Sequence, residues 1–221
     1  MDVKKHYQKY WISKNGLEQF MNYERNWYLA GFFRKGQKVL DLGCGDGSAA
    51  LYLKQNLRID VIGVDISENA IKKAKSRGIE AKLIDVEKSS LPFGNNSFDV
   101  VFWGDNIEHL FDPAATLKEV KRVLKKEGSL VISCPNMGYF RYRIYYFLHG
   151  ALPDTEWSGL SPWAWSHIRF FNLKILNRFL RSEGLFATKT VGVNRRFLDG
   201  LLAKIFPSLF GMILLVEAKK I

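Results

Sequence analysis

The sequence predicts an α/β fold in which a mostly parallel sheet carries helices on both faces. Short apolar runs alternate with amphipathic segments from Gln37 to Pro135, which is typical of repeated strand–helix units. A glycine-rich turn, Gly43 to Gly47, joins the first predicted strand to the first predicted helix. Asp65 and Asp85 come at the ends of the second and third predicted strands. Because parallel strands end at one edge of a sheet, these features predict a ligand site at that edge.

Apolar periodicity divides the chain into elements. The predicted strands of the central segment are 38–42, 59–64, 81–84, 98–103 and 129–133, and its predicted helices are 48–55, 67–77 and 113–125. Ser67 is suited to cap the second of these helices and Gly78 to end it. Residues 3–34 are predicted to form two aromatic-rich helices before the sheet. After it we predict a Tyr- and Arg-rich segment (137–149), a loop rich in Pro and Trp (150–165), helices at 173–183 and 196–205, and strands at 186–193 and 211–218.

Positive charge is concentrated in the two flanks of the chain, whose net charge is +11 over 221 residues. Residues 1–35 carry seven basic and three acidic residues, residues 36–136 carry fourteen of each, and residues 137–221 carry twelve and five. A basic surface favours an anionic partner such as nucleic acid, a phosphorylated substrate or membrane headgroups. Solvated surface lysines are the alternative explanation.

The length and the pattern predict one domain with three parts. Residues 1–35 are expected to form a helical cap, 36–136 a cofactor-binding core, and 137–221 a substrate-side insertion with the C-terminal strands. The start of the chain is polar and no segment has about 18 uninterrupted apolar residues, so we expect a soluble, cytoplasmic protein. Cys44 and Cys134 form no Cys-x-x-Cys pair, which favours small buried residues over a metal or redox role.

The loop Asp41-Leu-Gly-Cys-Gly-Asp-Gly47 indicates the kind of ligand. An acid two residues before the first glycine is awkward beside a pyrophosphate but suits a cationic amino-acid group. Asp65 stands where such folds place an acid that accepts from both ribose hydroxyls, and Asp85 is placed to accept from an adenine amino group. S-adenosylmethionine has an ammonium, a sulfonium, a ribose and an adenine, and no phosphate, so it fits this set.

These residues resemble the class I methyltransferase family, in particular its type 11 group. The matching motifs lie at 39–47, 63–67, 97–101, 107–110 and 124–132. The resemblance implies a Rossmann-like, seven-stranded mixed sheet of order 3-2-1-4-5-7-6 with its last strand antiparallel. It also implies S-adenosylmethionine as methyl donor and S-adenosylhomocysteine as product. The predicted cofactor-binding residues are Asp41, Gly43, Cys44, Gly45, Asp65, Ile66, Asp85, Val86 and Trp103.

Three residues are candidates for catalysis. The segment Asp105-Asn-Ile-Glu-His109 resembles the Glu-x-x-Glu-His pattern of ubiquinone-biosynthesis O-methyltransferases, in which the acids and the histidine are associated with a base and a divalent ion. Asp105 replaces the first Glu, and we predict no metal site. Glu108 and His109 are then either catalytic or local structure. His167 resembles a residue at the mouth of the family's substrate pocket, with a surface or capping role as the alternative.

The acceptor is expected to be a small or lipid-linked, anionic molecule that is methylated at oxygen. The alternatives are an RNA methyltransferase and a non-catalytic binding partner that retains the fold. Cys134-Pro-Asn136 does not match the Asn/Asp-Pro-Pro-Tyr signature, which argues against amino-nitrogen methylation of adenine or glutamine. Residues 140–148 and 197–210 are basic and apolar, so they predict either membrane docking or a buried crossover helix and core strand. Three tryptophans are expected to form a lid or to pack an irregular loop: Trp157, Trp163 and Trp165.

Overall fold

Seven strands form the scaffold of the protein in a computed structural model, which describes residues 3–13, 28–155, 166–194 and 196–220. The strands are β1 (Lys38–Leu42), β2 (Asp60–Asp65), β3 (Glu80–Leu83), β4 (Phe98–Gly104), β5 (Leu124–Pro135), β6 (Leu185–Val193) and β7 (Ile213–Lys220). They lie in the order β3-β2-β1-β4-β5-β7-β6. β7 is antiparallel to β5 and β6, and the other neighbours are parallel. The Rossmann-like fold implied by the resemblance is therefore confirmed.

The strand order reverses beside β1, because β2 and β3 continue on one side and β4 and β5 on the other. In sheets of this kind such a reversal opens a crevice at the carboxyl ends of the strands, where ligands bind. The loop after β1 (residues 43–47) and the loop after β4 (residues 105–111) face this crevice from its two sides.

Helices cover both faces of the sheet and its carboxyl edge. They are α1 (Val3–Ser13), α2 (Ser48–Leu57), α3 (Glu68–Ser76), α4 (Pro113–Val123), α5 (Phe140–His149), α6 (Leu173–Ser182), α7 (Phe197–Ile205) and α8 (Pro207–Phe210). The predicted cap is confirmed, since the Ser67 hydroxyl accepts a 3.3 Å hydrogen bond from the Ala70 backbone N–H. Asp112 caps α4 in the same way, through Ala114 and Ala115.

β4 is buried on both of its faces and divides the core into two layers. Val101 and Trp103 pack with apolar residues of α4 in one layer. Val100 and Phe102 pack with α2 in the other. Since nearly every side chain of β4 is buried, the strand has no polar face, as expected for the interior of a parallel sheet.

The sequence placed the start of β5 too late. α4 ends at Val123 and β5 begins at Leu124, whereas the prediction ended the helix at 125 and started the strand at 129. Lys125, a good helix former, is extended, and its ammonium donates to the Asp99 carboxylate at 2.7 Å. Leu124 lies opposite Phe98 and the pairing with β4 resumes with Ser129 opposite Val100, so residues 125–128 form an irregularity in the strand.

The expectation of a buried crossover helix and core strand after β5 is wrong. α5 has no buried residue, and the second segment forms the helices α7 and α8, of which α7 exposes most of its leucines. Most of the second predicted N-terminal helix, and Trp157, Trp163 and Trp165, lie outside the described residues. Among the helices that the structure describes, none is both long and apolar enough to cross a membrane.

Candidate active site

A tight loop carries the chain from β1 into α2. The backbone N–H groups of Gly43 and Cys44 both donate to the Val64 carbonyl of β2, at 2.8 and 2.9 Å. Gly43 and Gly45 have φ of +77° and +54°, in the left-handed region that glycine adopts at little cost. A Cβ at Gly43 would lie 2.7 Å from the side-chain nitrogen of Asn106, so the loop has no room for a side chain there.

Asp65 ties the end of β2 to this loop. One carboxylate oxygen accepts from the Gly45 N–H at 2.9 Å and the other from the Ser67 N–H at 2.8 Å. Burial raises the pKa of Asp65, although these hydrogen bonds oppose the shift. Asp41 is also buried, in β1 beside Gly63 of β2. Two carboxylates therefore lie close to the glycine loop.

Asp85 lies two residues beyond β3, at the same edge of the sheet. Its carboxylate accepts from the Glu87 N–H at 3.2 Å and pairs with the exposed Lys88 ammonium, also at 3.2 Å. Val86 is partly buried and packs on the core layer that contains Trp103. Asp85 is thus held by its own turn with its carboxylate partly exposed.

On the other side of the crevice, Glu108, His109 and His167 form one cluster. The backbone carbonyl of Glu108 accepts from the N–H groups of residues 168 and 169, which brings His167 next to the loop after β4. The Glu108 carboxylate is buried, with Oε1 3.8 Å from His167 Nε2, and the two histidine rings are 4.7 Å apart. Ligand atoms of the three residues lie within 4.8 Å of one another, a donor set that could also hold a metal ion.

Hydrogen bonds orient both imidazole rings. His109 Nδ1 lies 3.1 Å from the Ser166 carbonyl. Because a carbonyl can only accept, Nδ1 carries a proton, and Nε2 is the basic nitrogen of neutral His109. His167 Nδ1 lies 2.7 Å from the Thr155 hydroxyl. The cluster therefore combines a buried carboxylate with two positioned imidazoles.

Helix α1 spans the crevice. Trp11 packs directly on Gly45, where a Cβ would overlap its ring. The Tyr7 ring meets the His109 ring edge-on, with centroids 5.7 Å apart. Further contacts attach α1 to the start of α3, including an ion pair of 3.0 Å between Lys4 and Glu68. α1 thus contacts both sides of the crevice.

The central segment of the chain is similar in sequence to known proteins. Residues 40–132 match the family model described as a methyltransferase domain. Over 106 residues the chain is 36% identical to phosphoethanolamine N-methyltransferase 3 of Arabidopsis thaliana, a match that covers 45% of this chain and 21% of that protein. Over 123 residues it is 37% identical to a demethylmenaquinone methyltransferase of Staphylococcus aureus, covering 51% of each. The chain thus spans about a fifth to about half the length of these relatives.

Solved structures share the whole architecture. A methyltransferase from Aquifex aeolicus described as SAM-dependent superposes with a TM-score of 0.65 at 18% identity, over 99% of this chain and 98% of that one. A chain from the complex of the Haloferax volcanii Trm112 methyltransferase activator with a methyltransferase gives a TM-score of 0.72 at 17% identity, over 99% and 97%. Residues 40–132 therefore match a methyltransferase domain, and the chain as a whole has the fold of S-adenosylmethionine-dependent methyltransferases. The sequence-based prediction of family and cofactor is confirmed.

The crevice of this methyltransferase has a donor set that fits its cofactor. The loop approaches a ligand with backbone alone at Gly43 and Gly45, and the buried carboxylates of Asp41 and Asp65 lie beside it. Burying a carboxylate costs free energy. A cationic ligand group offsets this free-energy cost, whereas a negatively charged pyrophosphate would increase it. Asp41, Gly43, Gly45, Asp65, Ile66, Asp85 and Val86 therefore remain the residues predicted to hold the cofactor.

Two other predicted cofactor residues direct their side chains away from the crevice. The Cys44 side chain packs against Gly63 in the α2 layer of the core. Burial, with Asp41 and Asp65 nearby, raises the pKa of its thiol well above the usual range, so the thiol is neutral. The Trp103 ring is fully buried in the other layer. The predicted contacts of these two residues with the cofactor would therefore come from their backbone.

Sequence reasoning missed Asn106 as a site residue. The Trp103 ring N–H donates to the Asn106 side-chain oxygen at 2.9 Å, which turns the amide nitrogen toward Gly43. Asn106 thus joins the loop after β4 to the glycine loop across the crevice. The signal that could have found it is its position two residues beyond β4, next to Glu108 and His109.

Asn136 has a structural role, in agreement with the missing amino-methylation signature. Its side-chain nitrogen donates to the carbonyls of Ser208 and Gly211 at 3.0 and 2.7 Å, and its oxygen accepts from the Gly138 N–H at 2.9 Å. The side chain is fully buried by these bonds. It holds the end of β5 against α8 and the start of β7.

Proposed function

We propose that this methyltransferase transfers the methyl group of S-adenosylmethionine to an oxygen atom of a small or lipid-linked, anionic acceptor. The cluster of Glu108, His109 and His167 beside the glycine loop carries this proposal. Bound S-adenosylmethionine supplies an electrophilic methyl group on its sulfonium. The protein then has to position the acceptor oxygen and take its proton, and the cluster has the groups for both tasks.

His109 is the base in this proposal. Its bond to the Ser166 carbonyl makes Nε2 the proton acceptor, and Tyr7 and His167 pack against its ring. Nε2 would take the proton of the acceptor hydroxyl, and the oxygen would receive the methyl group that the bound donor supplies. His167 and the buried Glu108 carboxylate stabilise the imidazolium that results.

Charge and the relatives support a small anionic acceptor. The central segment 36–136 is neutral, whereas the two flanks carry the whole positive excess. Two parts of the flanks, α1 and residues 166–169, lie at the crevice. Arg169 lies two residues from His167 and is anchored to the Leu110 and Phe111 carbonyls. The relatives are named for phosphoethanolamine and demethylmenaquinone, which are small molecules rather than polymers.

The test is methyl transfer to a panel of phenols and carboxylates that carry anionic groups, with amines and RNA assayed in parallel. Replacing the base (His109→Gln) should lower kcat by about 10²- to 10⁴-fold, because the proton acceptor is removed. The affinity for S-adenosylhomocysteine, measured by calorimetry, should stay unchanged. His149→Gln is the matched control, since His149 lies at the exposed end of α5.

Activity should persist in EDTA, because the base mechanism needs no metal ion. If EDTA abolishes the activity and a divalent metal restores it, the base mechanism is wrong and the same three residues hold a catalytic metal ion. Methylation of generic RNA, with binding that weakens steeply with salt, would show that the basic flanks bind phosphates of a polymer and would overturn the small-molecule proposal.

A further inference from the structure

Helix α7 turns its apolar side toward solvent. Its exposed leucines and isoleucine follow the spacing of one helix face, at Leu198, Leu201, Leu202 and Ile205. Leu198 and Ile205 are 71% and 69% exposed, whereas Asp199 and Ala203 are buried on the opposite side. A stripe of this kind normally packs on a core, so its outward direction indicates a surface that binds something apolar.

Helix α5 is exposed on nearly all sides beyond its first turn. Residues 144–148, Ile-Tyr-Tyr-Phe-Leu, are all exposed, with Phe147 at 86% and Leu148 at 67%. Exposed aromatic and aliphatic side chains on a helix are typical of segments that insert into the boundary between lipid headgroups and acyl chains.

A buried acid holds the two helices together. The carboxylate of Asp199 on α7 accepts from the Tyr139 hydroxyl at 2.6 Å and from the Arg141 guanidinium of α5 at 2.8 Å. The hydrogen bond from Arg141 lowers the pKa of Asp199, which keeps the carboxylate ionised. The Phe140 ring also packs on Phe210 of α8, with centroids 5.2 Å apart. α5 and α7 are therefore joined at their N-terminal turns, and we call their exposed apolar residues together the apolar patch.

Basic residues outnumber acidic ones in the two segments that form the apolar patch, and Asp154 lies near Tyr142 of α5. Asp199 is the only acidic residue in segments 139–152 and 196–210, and it is turned inward. Arg143, Arg196 and Lys204 are exposed. Apolar residues flanked by basic ones complement a membrane with anionic headgroups, because the long basic side chains reach the headgroups while the apolar ones enter the acyl boundary.

The apolar patch lies at the carboxyl edge of the sheet, as the crevice does. α5 follows the end of β5, and α7 follows the end of β6, which runs in the same direction as β5. We propose that the apolar patch formed by α5 and α7 docks this protein on an anionic lipid membrane, with the crevice facing the lipid surface. This inference goes beyond methyl transfer, since docking needs neither cofactor nor acceptor.

Sedimentation with lipid vesicles tests the proposal. The full chain should bind phosphatidylcholine vesicles that contain about one quarter phosphatidylglycerol, and high salt should weaken the binding. Phe147→Ser combined with Leu198→Ser should reduce the partition coefficient by about tenfold or more, because two apolar side chains no longer leave water. Arg143→Gln combined with Lys204→Gln should remove the preference for phosphatidylglycerol.

Phe186→Ser is the matched control. Phe186 is an exposed phenylalanine near the start of β6, at the end of the sheet that lies away from the crevice. It should bind vesicles like the unmodified protein, and melting temperatures should show that every variant is folded. The proposal is overturned if the unmodified protein does not bind these vesicles, or if the Phe147/Leu198 variant binds them equally well. It is also overturned if light scattering shows a dimer that this variant dissociates, without vesicle binding, because a second copy then covers the apolar patch.

Discussion

At the scale of single residues, Asp65 links cofactor binding to pH. Its carboxylate is buried and hydrogen-bonded to Gly45, and burial raises its pKa. A protonated carboxyl is a weaker acceptor for ribose hydroxyls. We therefore predict that the affinity for S-adenosylhomocysteine falls as the pH drops through the raised pKa, at a higher pH than for an exposed aspartate, whose pKa is about 4.

The variant that removes the charge is Asp65→Asn. It should weaken binding of S-adenosylhomocysteine by about 1.5–3 kcal/mol at neutral pH. It should also abolish the loss of affinity at low pH, as measured by calorimetry from pH 4 to 8. Asp60→Asn is the control, because Asp60 is exposed at the other end of β2. If the Asn variant keeps the unmodified affinity and pH profile, the ribose site lies elsewhere.

The sequence predicted the acids of the crevice better than the direction of its apolar side chains. Asp41 and Asp65 could be found because their distances from the glycines are set by the lengths of β1 and β2. The sequence could not show that the Trp103 side chain points into the core, because β4 is buried on both faces and no alternation distinguishes the side chains that point to the crevice. Asn106 could not be identified as a site residue from the sequence, because its position depends on the hydrogen bond from Trp103 and on the close approach to Gly43.

At the scale of elements, α1 acts as a cover over the crevice. It contacts the glycine loop through Trp11 and His109 through Tyr7. Trp11→Ala should therefore speed the dissociation of S-adenosylhomocysteine by roughly fivefold to tenfold, because the cover loses its aromatic contact with the loop. Stopped-flow displacement measures this rate directly.

Ile12→Ala is the control for this experiment, since Ile12 is the exposed neighbour of Trp11 on the same helix. It should leave the dissociation rate unchanged. A slower dissociation or a tighter complex in the Trp11 variant would contradict the cover, because Trp11 would then compete with the cofactor for the loop.

The central elements were predictable because each strand–helix unit has its own pattern, and β1 was predicted with its observed bounds. Errors arose where distant contacts overrode local preference. The first residues of β5 include Lys125, which lies in an irregular part of the strand and pairs with Asp99 of β4. α5 and α7 have the composition of core elements, and their exposure depends on the packing of the whole chain, which local composition does not show.

At the scale of the whole molecule, the neutral central segment and the basic flanks contribute different groups to the crevice. The core presents the glycine loop and its acids at the strand reversal, and the segment after β5 supplies His167, Arg169 and the apolar patch at the same edge. The proposed cofactor site, acceptor site and lipid-facing surface thus lie at the same edge of the sheet. This arrangement suits an acceptor that is itself linked to a lipid.

The measurement that tests the central claim most directly is calorimetry of the full chain with S-adenosylhomocysteine and, separately, with NAD. One molecule of S-adenosylhomocysteine should bind per chain and NAD should not, because the buried carboxylate of Asp41 beside the glycine loop favours a cationic amino-acid group and disfavours a pyrophosphate. Binding of NAD without binding of S-adenosylhomocysteine would contradict the assignment of the crevice as the site for the methyl donor.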